Sequence, residues 1–250
     1  MLRSRIIPCL LLHDGGLVKT QQFKDAKYVG DPLNAVKIFN EKAVDELIFL
    51  DIDASVLKKE PNVALLRSLA VESRMPLSYG GGIKTAGQAA KVVAMGFEKV
   101  SISSGALARP ALIKEMAEAV GGQSVVVTLD VRKNKLLNGY TVYTSNGRDK
   151  HKVDLLEFCQ QATELGAGEI VINSIDRDGM MNGYDLDLAR QVRAAVSTPI
   201  SILGGAGSVD DMQTLIDTVG IVGAAAGSLF VFKGAFRAVL INYARPTRLA

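Results

Sequence analysis

Cysteine is scarce in this chain of 250 residues, which contains only Cys9 and Cys159. Two cysteines are too few for a disulfide framework, and neither has a histidine or another cysteine at the spacing of a metal site. The sequence therefore predicts no metal site and no bound cofactor. It also fits a reducing, cytoplasmic setting.

An excess of one charge and long apolar runs are also missing. The net charge is +3 with acidic and basic residues interspersed, so we expect no nucleic-acid partner. No apolar stretch approaches the ~20 residues that cross a bilayer, so we expect no membrane partner. The apolar run over residues 6–12 stops at His13-Asp14 without a small-residue cleavage site. It predicts a buried first strand rather than a signal peptide.

The chain does have 48% hydrophobic residues, arranged in short β-branched runs that alternate with segments of helical spacing. This order predicts an α/β fold, a (βα)₈ TIM barrel with its functional groups at the carboxyl ends of the strands. An open, doubly wound sheet is the alternative. A hairpin is predicted in the fifth loop, over residues 140–143 between Asn138-Gly139 and Asn146-Gly147. The predicted strands cover residues 6–11, 46–51, 77–79, 99–102, 124–130, 169–173, 200–203 and 221–225.

The two halves of the chain repeat each other. Gly81 and Gly82 lie 123 residues before Gly204 and Gly205, and the run that begins at Glu46 lies 123 residues before its counterpart. No linker or low-complexity tract separates the halves. We therefore predict one domain, 1–250, built from two half-barrels at approximately 1–121 and 122–250.

Glycines and serines follow four of the predicted strands. Backbone N–H groups and hydroxyls at strand ends bind phosphate, so two neighbouring pairs of strands predict two anion sites. The glycines alternatively serve only to permit tight turns. Their repetition at matching positions favours phosphate binding. The residues are Gly80, Gly81 and Gly82, then Ser103 and Ser104, then Gly204 and Gly205, then Gly227 and Ser228.

Carboxylates also collect at these strand ends. Asp130 is the strongest candidate for a general acid or base, because it ends an apolar strand rather than starting a turn. Asp51 ends the second strand, where it is alternatively a helix cap. Asp176 and Asp178 follow the sixth strand, and Asp178-Gly179 is alternatively a simple turn.

Four charged residues lie at the opposite ends of the strands. In a closed barrel their side chains meet at the amino-terminal face as a ring of two acids and two bases. Such rings are often structural plugs, and that interpretation stays open here. The four residues are Arg5, Glu46, Lys99 and Glu169.

Several motifs together resemble the cyclase subunit of imidazole glycerol phosphate synthase. They include Arg5-Ile6-Ile7-Pro8-Cys9-Leu10, Ser174-Ile175-Asp176-Arg177-Asp178-Gly179 and Gly204-Gly205-Ala206-Gly207. The resemblance implies a barrel with a class I glutaminase docked on its amino-terminal face as a heterodimer. It also implies that ammonia passes a gate formed by Arg5, Glu46, Lys99 and Glu169. The family joins this ammonia to a bisphosphorylated ribulosyl nucleotide and releases imidazole glycerol phosphate and an aminoimidazole carboxamide ribotide.

The resemblance also assigns site residues. It implies one phosphate site at Gly82, Ser103 and Ser104, a second at Gly179, Gly205, Gly227 and Ser228, and a role for Lys19 in the first loop. The family uses two catalytic aspartates, one at the end of strand one and one at the end of strand five. Asp130 matches the second, but Leu11 stands at the first, and a leucine cannot transfer a proton. Ser103, Leu203 and Asn173 are further departures from the family pattern.

Two functions therefore stay open. The first is a synthase subunit in histidine biosynthesis, with Asp130 acting alone or aided by Asp14, His13 or Asp178. The second is a paralogue that activates the glutaminase and conducts ammonia to a sugar amidotransferase in surface polysaccharide biosynthesis. The retained gate and the lost aspartate predict glutaminase stimulation with little cyclase product from free ammonium. A third interpretation, the sister isomerase barrel one step earlier, is opposed by the opening motif.

Overall fold

The computed structural model describes residues 3–134, 139–234 and 236–249. Its strands, in chain order, are β1 (Arg5–His13), β2 (Gly16–Gln21), β3 (Lys24–Gly30), β4 (Leu47–Asp51), β5 (Leu77–Gly80), β6 (Lys99–Ile102), β7 (Val125–Lys133), β8 (Tyr140–Thr144), β9 (Asp149–Lys150), β10 (Glu169–Ser174), β11 (Ile200–Leu203), β12 (Gly223–Ala226), β13 (Phe232–Lys233) and β14 (Ala238–Val239). Its helices are α1 (Pro32–Glu41), α2 (Ile52–Val56), α3 (Val63–Glu72), α4 (Ala86–Ala94), α5 (Ser104–Ala108), α6 (Ala111–Val120), α7 (Leu155–Glu164), α8 (Leu186–Ala195), α9 (Val209–Val219) and α10 (Ser228–Val231).

Eight parallel strands close into a barrel. Their order is β1, β4, β5, β6, β7, β10, β11 and β12, and β12 pairs with β1. The pairing of β10 with β7 runs from Glu169 opposite Val126 to Ser174 opposite Val131. Because every barrel strand has two strand neighbours, the barrel has no open edge. This confirms the predicted (βα)₈ barrel and excludes the open sheet.

Side chains of each strand alternate between two apolar clusters. In β1, Ile7 and Leu11 belong to a small cluster inside the barrel, whereas Ile6, Leu10 and Leu12 belong to the large cluster under the helices. This alternation follows from the two-residue period of a strand. Both faces of the barrel strands are therefore buried, which is why the sequence shows continuous apolar runs rather than alternation.

Seven helices of nine to eleven residues cover the barrel in the described part of the chain. Most begin with a polar side chain that accepts hydrogen bonds from the first turn, as Asp31 does for α1 and Asp154 for α7. Such caps satisfy N–H groups that have no partner within the helix. None of the described helices is long and apolar enough to span a membrane.

The eighth helical position differs from the others. α10 has only four residues, and the β13–β14 hairpin and an extended tail follow it. Tyr243 in this tail packs against Phe230, with 5.3 Å between ring centroids. Its hydroxyl donates to the Ile6 carbonyl at 3.0 Å and accepts from the Asp45 N–H at 3.4 Å. The tail therefore ties the start of β1 to the segment before β4.

The predicted strands match the observed barrel strands, with small corrections. β12 begins at Gly223 rather than residue 221, and Glu46 immediately precedes β4. The fifth-loop hairpin is present, but its first arm is the extension of β7, which pairs antiparallel with β8. Asn138 lies outside the described residues. The β2–β3 hairpin in the first loop was missed, because most of β3 is exposed and polar.

Candidate functional site

A cavity of about 130 Å³ opens among the carboxyl ends of the barrel strands. Asp130 and Asn173 come from β7 and β10, Leu11 from β1, and Thr20 and Phe23 from the first-loop hairpin. Asp130, the predicted catalytic residue, and Leu11, which replaces the expected second aspartate, therefore line one chamber.

Asp130 is the candidate proton-transfer group of this chamber. Burial among the surrounding side chains raises its pKa to about 7, and the negative charge of Asp178 adds to the rise. Asn173 opposes it by donating a hydrogen bond to the carboxylate at 2.9 Å. A carboxyl group with a pKa near neutrality both gives and takes a proton at physiological pH.

Leu11 faces the same chamber but is almost closed to solvent, with 8% of its surface exposed. It lies opposite Leu50 in the β1–β4 pairing and packs in the interior cluster with Leu203. The end of β1 therefore contributes an apolar wall where the family resemblance implies a second carboxylate.

The first predicted anion site lies in this chamber. Gly82, Ser103 and Ser104 all line it. The Ser104 hydroxyl lies 3.5 Å from that of Ser55. The Ser103 hydroxyl oxygen is buried and has no hydrogen-bond partner among the residues that the structure describes. A buried hydroxyl without a partner is unusual, and an anionic ligand would satisfy it.

The second predicted anion site is a smaller adjoining cavity. Lys19 and the predicted residues Gly179, Gly205, Gly227 and Ser228 line it together. Lys19 lies in the first loop as expected, on strand β2 of its hairpin, and is 4% exposed.

The Lys19 ammonium group fills the space beside Gly227 that a Cβ atom would need. It donates to the Cys9 carbonyl at 3.1 Å, and no carboxylate of the described ranges lies within 4.0 Å of it. A buried cation without an acidic partner favours an anion at this position.

The other acidic candidates are held by structural hydrogen bonds. Asp178 accepts from the Thr20 hydroxyl at 2.6 Å and from the Phe23 N–H at 3.2 Å, which fixes the first-loop hairpin. Asp51 caps α2, in agreement with its alternative interpretation. Asp176 accepts from the Lys133 N–H at 2.8 Å.

The two cavities share a wall. Leu11, Phe23 and Asn173 line both of them, and Asn173 is the residue that contacts Asp130. The Asp130–Asn173 pair thus lies at the junction between the two cavities that contain the predicted anion-binding residues. Phe23 and Thr20 were missed from the sequence, because the hairpin that carries them was missed.

The four charged residues meet at the amino-terminal end of the barrel. Lys99 donates to Glu46 and to Glu169, each at 2.8 Å. Arg5 pairs with Glu169 at 2.7 Å and also with Glu46. The Ser201 hydroxyl donates to Glu169 as well. The result is a closed ring of alternating charge across the barrel.

Burial affects the two acids of this ring differently. The pKa of Glu46 is raised, because burial outweighs the attraction of Lys99. The pKa of Glu169 is lowered, because the attractions of Arg5 and Lys99 together outweigh burial. The ring therefore favours the ionised form of Glu169 more than that of Glu46.

No group of three histidine, cysteine, aspartate or glutamate side chains suited to a metal ion occurs within residues 3–134, 139–234 and 236–249.

Comparison with known proteins decides the family. The histidine biosynthesis protein family matches residues 5–237. A Vibrio vulnificus protein with the provisional name imidazole glycerol phosphate synthase subunit hisF3 is 56% identical over 99% of this chain and 95% of its own length. The chain belongs to the HisF family of imidazole glycerol phosphate synthase subunits.

Other HisF relatives give the same result. A Pseudomonas aeruginosa protein with the provisional name subunit hisF2 is 51% identical over 100% of this chain and 99% of its own length. The HisF subunit of imidazole glycerol phosphate synthase from Streptococcus mutans is 40% identical over 92% of this chain and 91% of its own length. These comparisons support the cyclase subunit of histidine biosynthesis over the alternative function.

Proposed function

We propose that this chain is the cyclase subunit of an imidazole glycerol phosphate synthase. The observation that carries the proposal is the place of Asp130 at the junction of the two anion cavities. A bisphosphorylated ligand with one phosphate in each cavity places its central atoms beside this carboxyl group. In the first cavity Ser103 supplies a hydroxyl that has no partner among the described residues, and in the second Lys19 supplies a positive charge.

The ring at the other end of the barrel fits delivery of ammonia. A class I glutaminase docked on the amino-terminal face as a heterodimer would release ammonia next to Lys99 and Glu46. Beyond the ring, the interior contains small and hydroxyl-bearing residues, including the Ser101–Thr128 pair at 2.6 Å. These groups offer hydrogen bonds to ammonia on its way to Asp130.

Product formation from free ammonium tests this proposal directly. The full chain is mixed with ammonium chloride and the bisphosphorylated ribulosyl substrate, and both products are quantified by chromatography. We expect turnover that falls by about 10²-fold or more in Asp130→Asn. Asp187→Asn, an exposed acid on α8, is the matched control and should keep full activity. Absence of product from the unmodified chain would refute cyclase activity.

Leu11 favours a second candidate, in which the chain conducts ammonia without cyclising. The apolar wall at Leu11 leaves Asp130 without the acid that the family has at the end of the first strand. Ammonia would then pass to another enzyme, such as a sugar amidotransferase of surface polysaccharide biosynthesis. Glutaminase stimulation without cyclase product supports this candidate, and robust turnover with free ammonium excludes it.

We also infer a cytoplasmic location and a single domain of two half-barrels. The location is supported by two cysteines that are both free and buried. The repeat is supported by the equivalent glycine loops, since Gly81 and Gly204 both adopt positive φ angles, of 141° and 97°.

A further inference from the structure

His13 is the last residue of β1 and follows Leu11 by two positions. Because strand side chains alternate, residues two positions apart project from the same face. The imidazole of His13 therefore lies on the face of β1 that carries Leu11, about 7 Å further toward the mouth of the barrel. Its side chain is 47% exposed, so the ring is open to a ligand.

Asp53 on α2 holds this imidazole in place. The His13 Nδ1 atom lies 2.7 Å from one Asp53 carboxylate oxygen, and the Asp14 N–H donates to the other oxygen at 2.8 Å. Burial alone would raise the pKa of Asp53, but these hydrogen bonds and the nearby His13 lower it overall. An ionised carboxylate that contacts Nδ1 fixes the ring orientation and directs Nε2 to its own partner.

His13 and Asp53 line an outer cavity that adjoins the chamber of Asp130. Thr20, Phe23 and Ile52 line both spaces. Asn146 of the fifth loop also belongs to both, and its side chain donates to the Ile52 carbonyl at 2.9 Å. The His13–Asp53 pair therefore lies at the entrance to the catalytic chamber, on the strand that lacks the expected acid.

Asp178 and Asp14, the other two candidate helpers of Asp130, are less available for proton transfer. The Asp178 carboxylate already accepts hydrogen bonds from Thr20 and Phe23. Asp14 lies in the turn after β1, at a φ angle of 47°, and its N–H is bound to Asp53. Of the three candidate helpers, His13 alone combines a proton-transfer group with an orienting carboxylate.

We propose that His13, oriented by Asp53, is the second proton-transfer group of the cyclase site and performs the role that Leu11 cannot. This inference rests on the proposed cyclase function. Asp130 acts from the floor of the chamber and His13 from its mouth, so that a bound ketose phosphate lies between them. His13 is thus a catalytic residue of this chain, and Asp53 is a positioning residue.

In the addition of ammonia to the substrate ketone, His13 and Asp130 transfer different protons. The nitrogen lone pair forms the C–N bond, the carbonyl oxygen takes a proton from the His13 imidazolium, and the nitrogen gives a proton to the Asp130 carboxylate. Water then leaves as the hydroxyl takes the proton back from Asp130, and the iminium nitrogen returns a proton to His13. Both groups finish in their starting forms, and the imine and one water are the products.

Single-turnover and steady-state kinetics with free ammonium test the assignment. We expect His13→Gln to lower kcat by about 10²-fold with little change in KM. Asp53→Asn should lower kcat by a smaller factor. Introducing His13→Gln into Leu11→Asp should cause less than a threefold loss, because the new carboxylate takes over the role. His151→Gln, the other histidine of the chain, is the matched control and should keep the activity of the unmodified protein.

The pH profile separates catalysis from a structural role. One limb of the kcat profile should disappear in His13→Gln and persist in His151→Gln. The other charged groups that line the outer cavity are Asp14, Asp53, Lys24, Asp25, Lys59 and Arg148, and all remain in both variants. A purely structural role would reduce stability and leave the shape of the profile unchanged.

NMR of the His151→Gln protein gives a readout without turnover, since His13 is then the single histidine. Nitrogen shifts should place the proton of the neutral ring on Nδ1, and Asp53→Asn should move it toward Nε2. Normal turnover in His13→Gln, or an unchanged tautomer in Asp53→Asn, would refute the inference and leave the cyclase proposal intact. Absence of turnover in the unmodified chain would refute both.

Discussion

Asn173 donates a hydrogen bond to the Asp130 carboxylate at 2.9 Å, between residues that lie directly opposite each other on β10 and β7. The amide carbonyl oxygen of Asn173 is buried and has no partner in the described part of the chain. The contact therefore stabilises the ionised form of Asp130 and leaves one acceptor available to a ligand. A neutral residue thus limits the rise in the pKa of Asp130 that burial causes.

Asn173→Leu should raise the pKa of Asp130 above its value of about 7. The hydrogen bond favours the charged carboxylate, so its loss favours the protonated form, by about 1 kcal/mol or somewhat less than one pH unit. The limb of the pH–rate profile that reports Asp130 should move to higher pH. Carbon NMR of labelled aspartate provides an independent titration. An unchanged midpoint would contradict the role of Asn173, and exposed Asn182→Leu is the control.

In the His13→Gln background, Leu11→Asp should increase cyclase turnover with free ammonium by about 10²-fold, because the new carboxylate takes over the role assigned to His13. The substitution restores a carboxylate on the strand that lacks one, beside the two cavities that contain the predicted anion-binding residues. Burying this carboxylate near Asp130 should also lower stability by about 2–4 kcal/mol. Leu11→Asn has a similar shape without the proton and should gain no activity. Equal rates for both variants would show that the missing acid is not what limits the reaction.

Lys99→Met should destabilise the protein by about 3–5 kcal/mol. Lys99 bridges Glu46 and Glu169, so its removal leaves two buried carboxylates with Arg5 as their remaining ring cation. Urea unfolding measures the loss, and exposed Lys37→Met on α1 is the control. If the ring is an ammonia gate, glutamine-dependent turnover should change relative to ammonium-dependent turnover. A constant ratio of the two rates would instead assign the ring to structure alone.

The barrel was predictable because each of its strands is buried on both faces. Runs such as that of β1 over residues 6–12 are continuously apolar, and they stand out against helices whose apolar residues recur every three or four positions. The half-barrel repeat remains a prediction. The β2–β3 hairpin was not predictable, since residues such as Lys24 and Lys27 in β3 face solvent. Its position depends on hydrogen bonds from Thr20 and Phe23 to Asp178, which lies 158 and 155 residues further along the chain.

The site was predictable where a strand end determines the position of a side chain. Asp130, Ser103 and Gly205 all follow from this rule, and the structure brings them to one face. The contact between Asn173 and Asp130 follows from the register of two strands far apart in sequence. The contact between His13 and Asp53 depends on how the chain turns from β4 into the first residues of α2. Neither register nor loop geometry is encoded in a local pattern.

Tyr243→Phe should lower the free energy of unfolding by about 1 kcal/mol. The lost hydroxyl bridges the Ile6 carbonyl and the Asp45 N–H, so it holds the tail against the start of β1 and the segment before β4. The aromatic packing on Phe230 remains. Thermal unfolding measures the loss. Tyr28→Phe, at a tyrosine that is 65% exposed, is the control and should leave the free energy of unfolding unchanged. Equal stability of both variants would show that the tail is not anchored through this hydroxyl.

Asp130→Asn should lower activity but raise the free energy of unfolding, and the size of this increase should depend on pH. Burial raises the pKa of Asp130 from 3.8 to about 7, so the folded state holds a proton that the unfolded state releases. Asp130 therefore lowers stability progressively as pH rises from 4 to 7, and the penalty is constant above that range. We expect Asp130→Asn to add roughly 1–3 kcal/mol at pH 8 and almost nothing at pH 4. Urea unfolding at both pH values, with Asp187→Asn as control, measures the difference. A gain of equal size at both pH values would mean that the improved stability comes from hydrogen bonding of the amide rather than from removal of a buried charge.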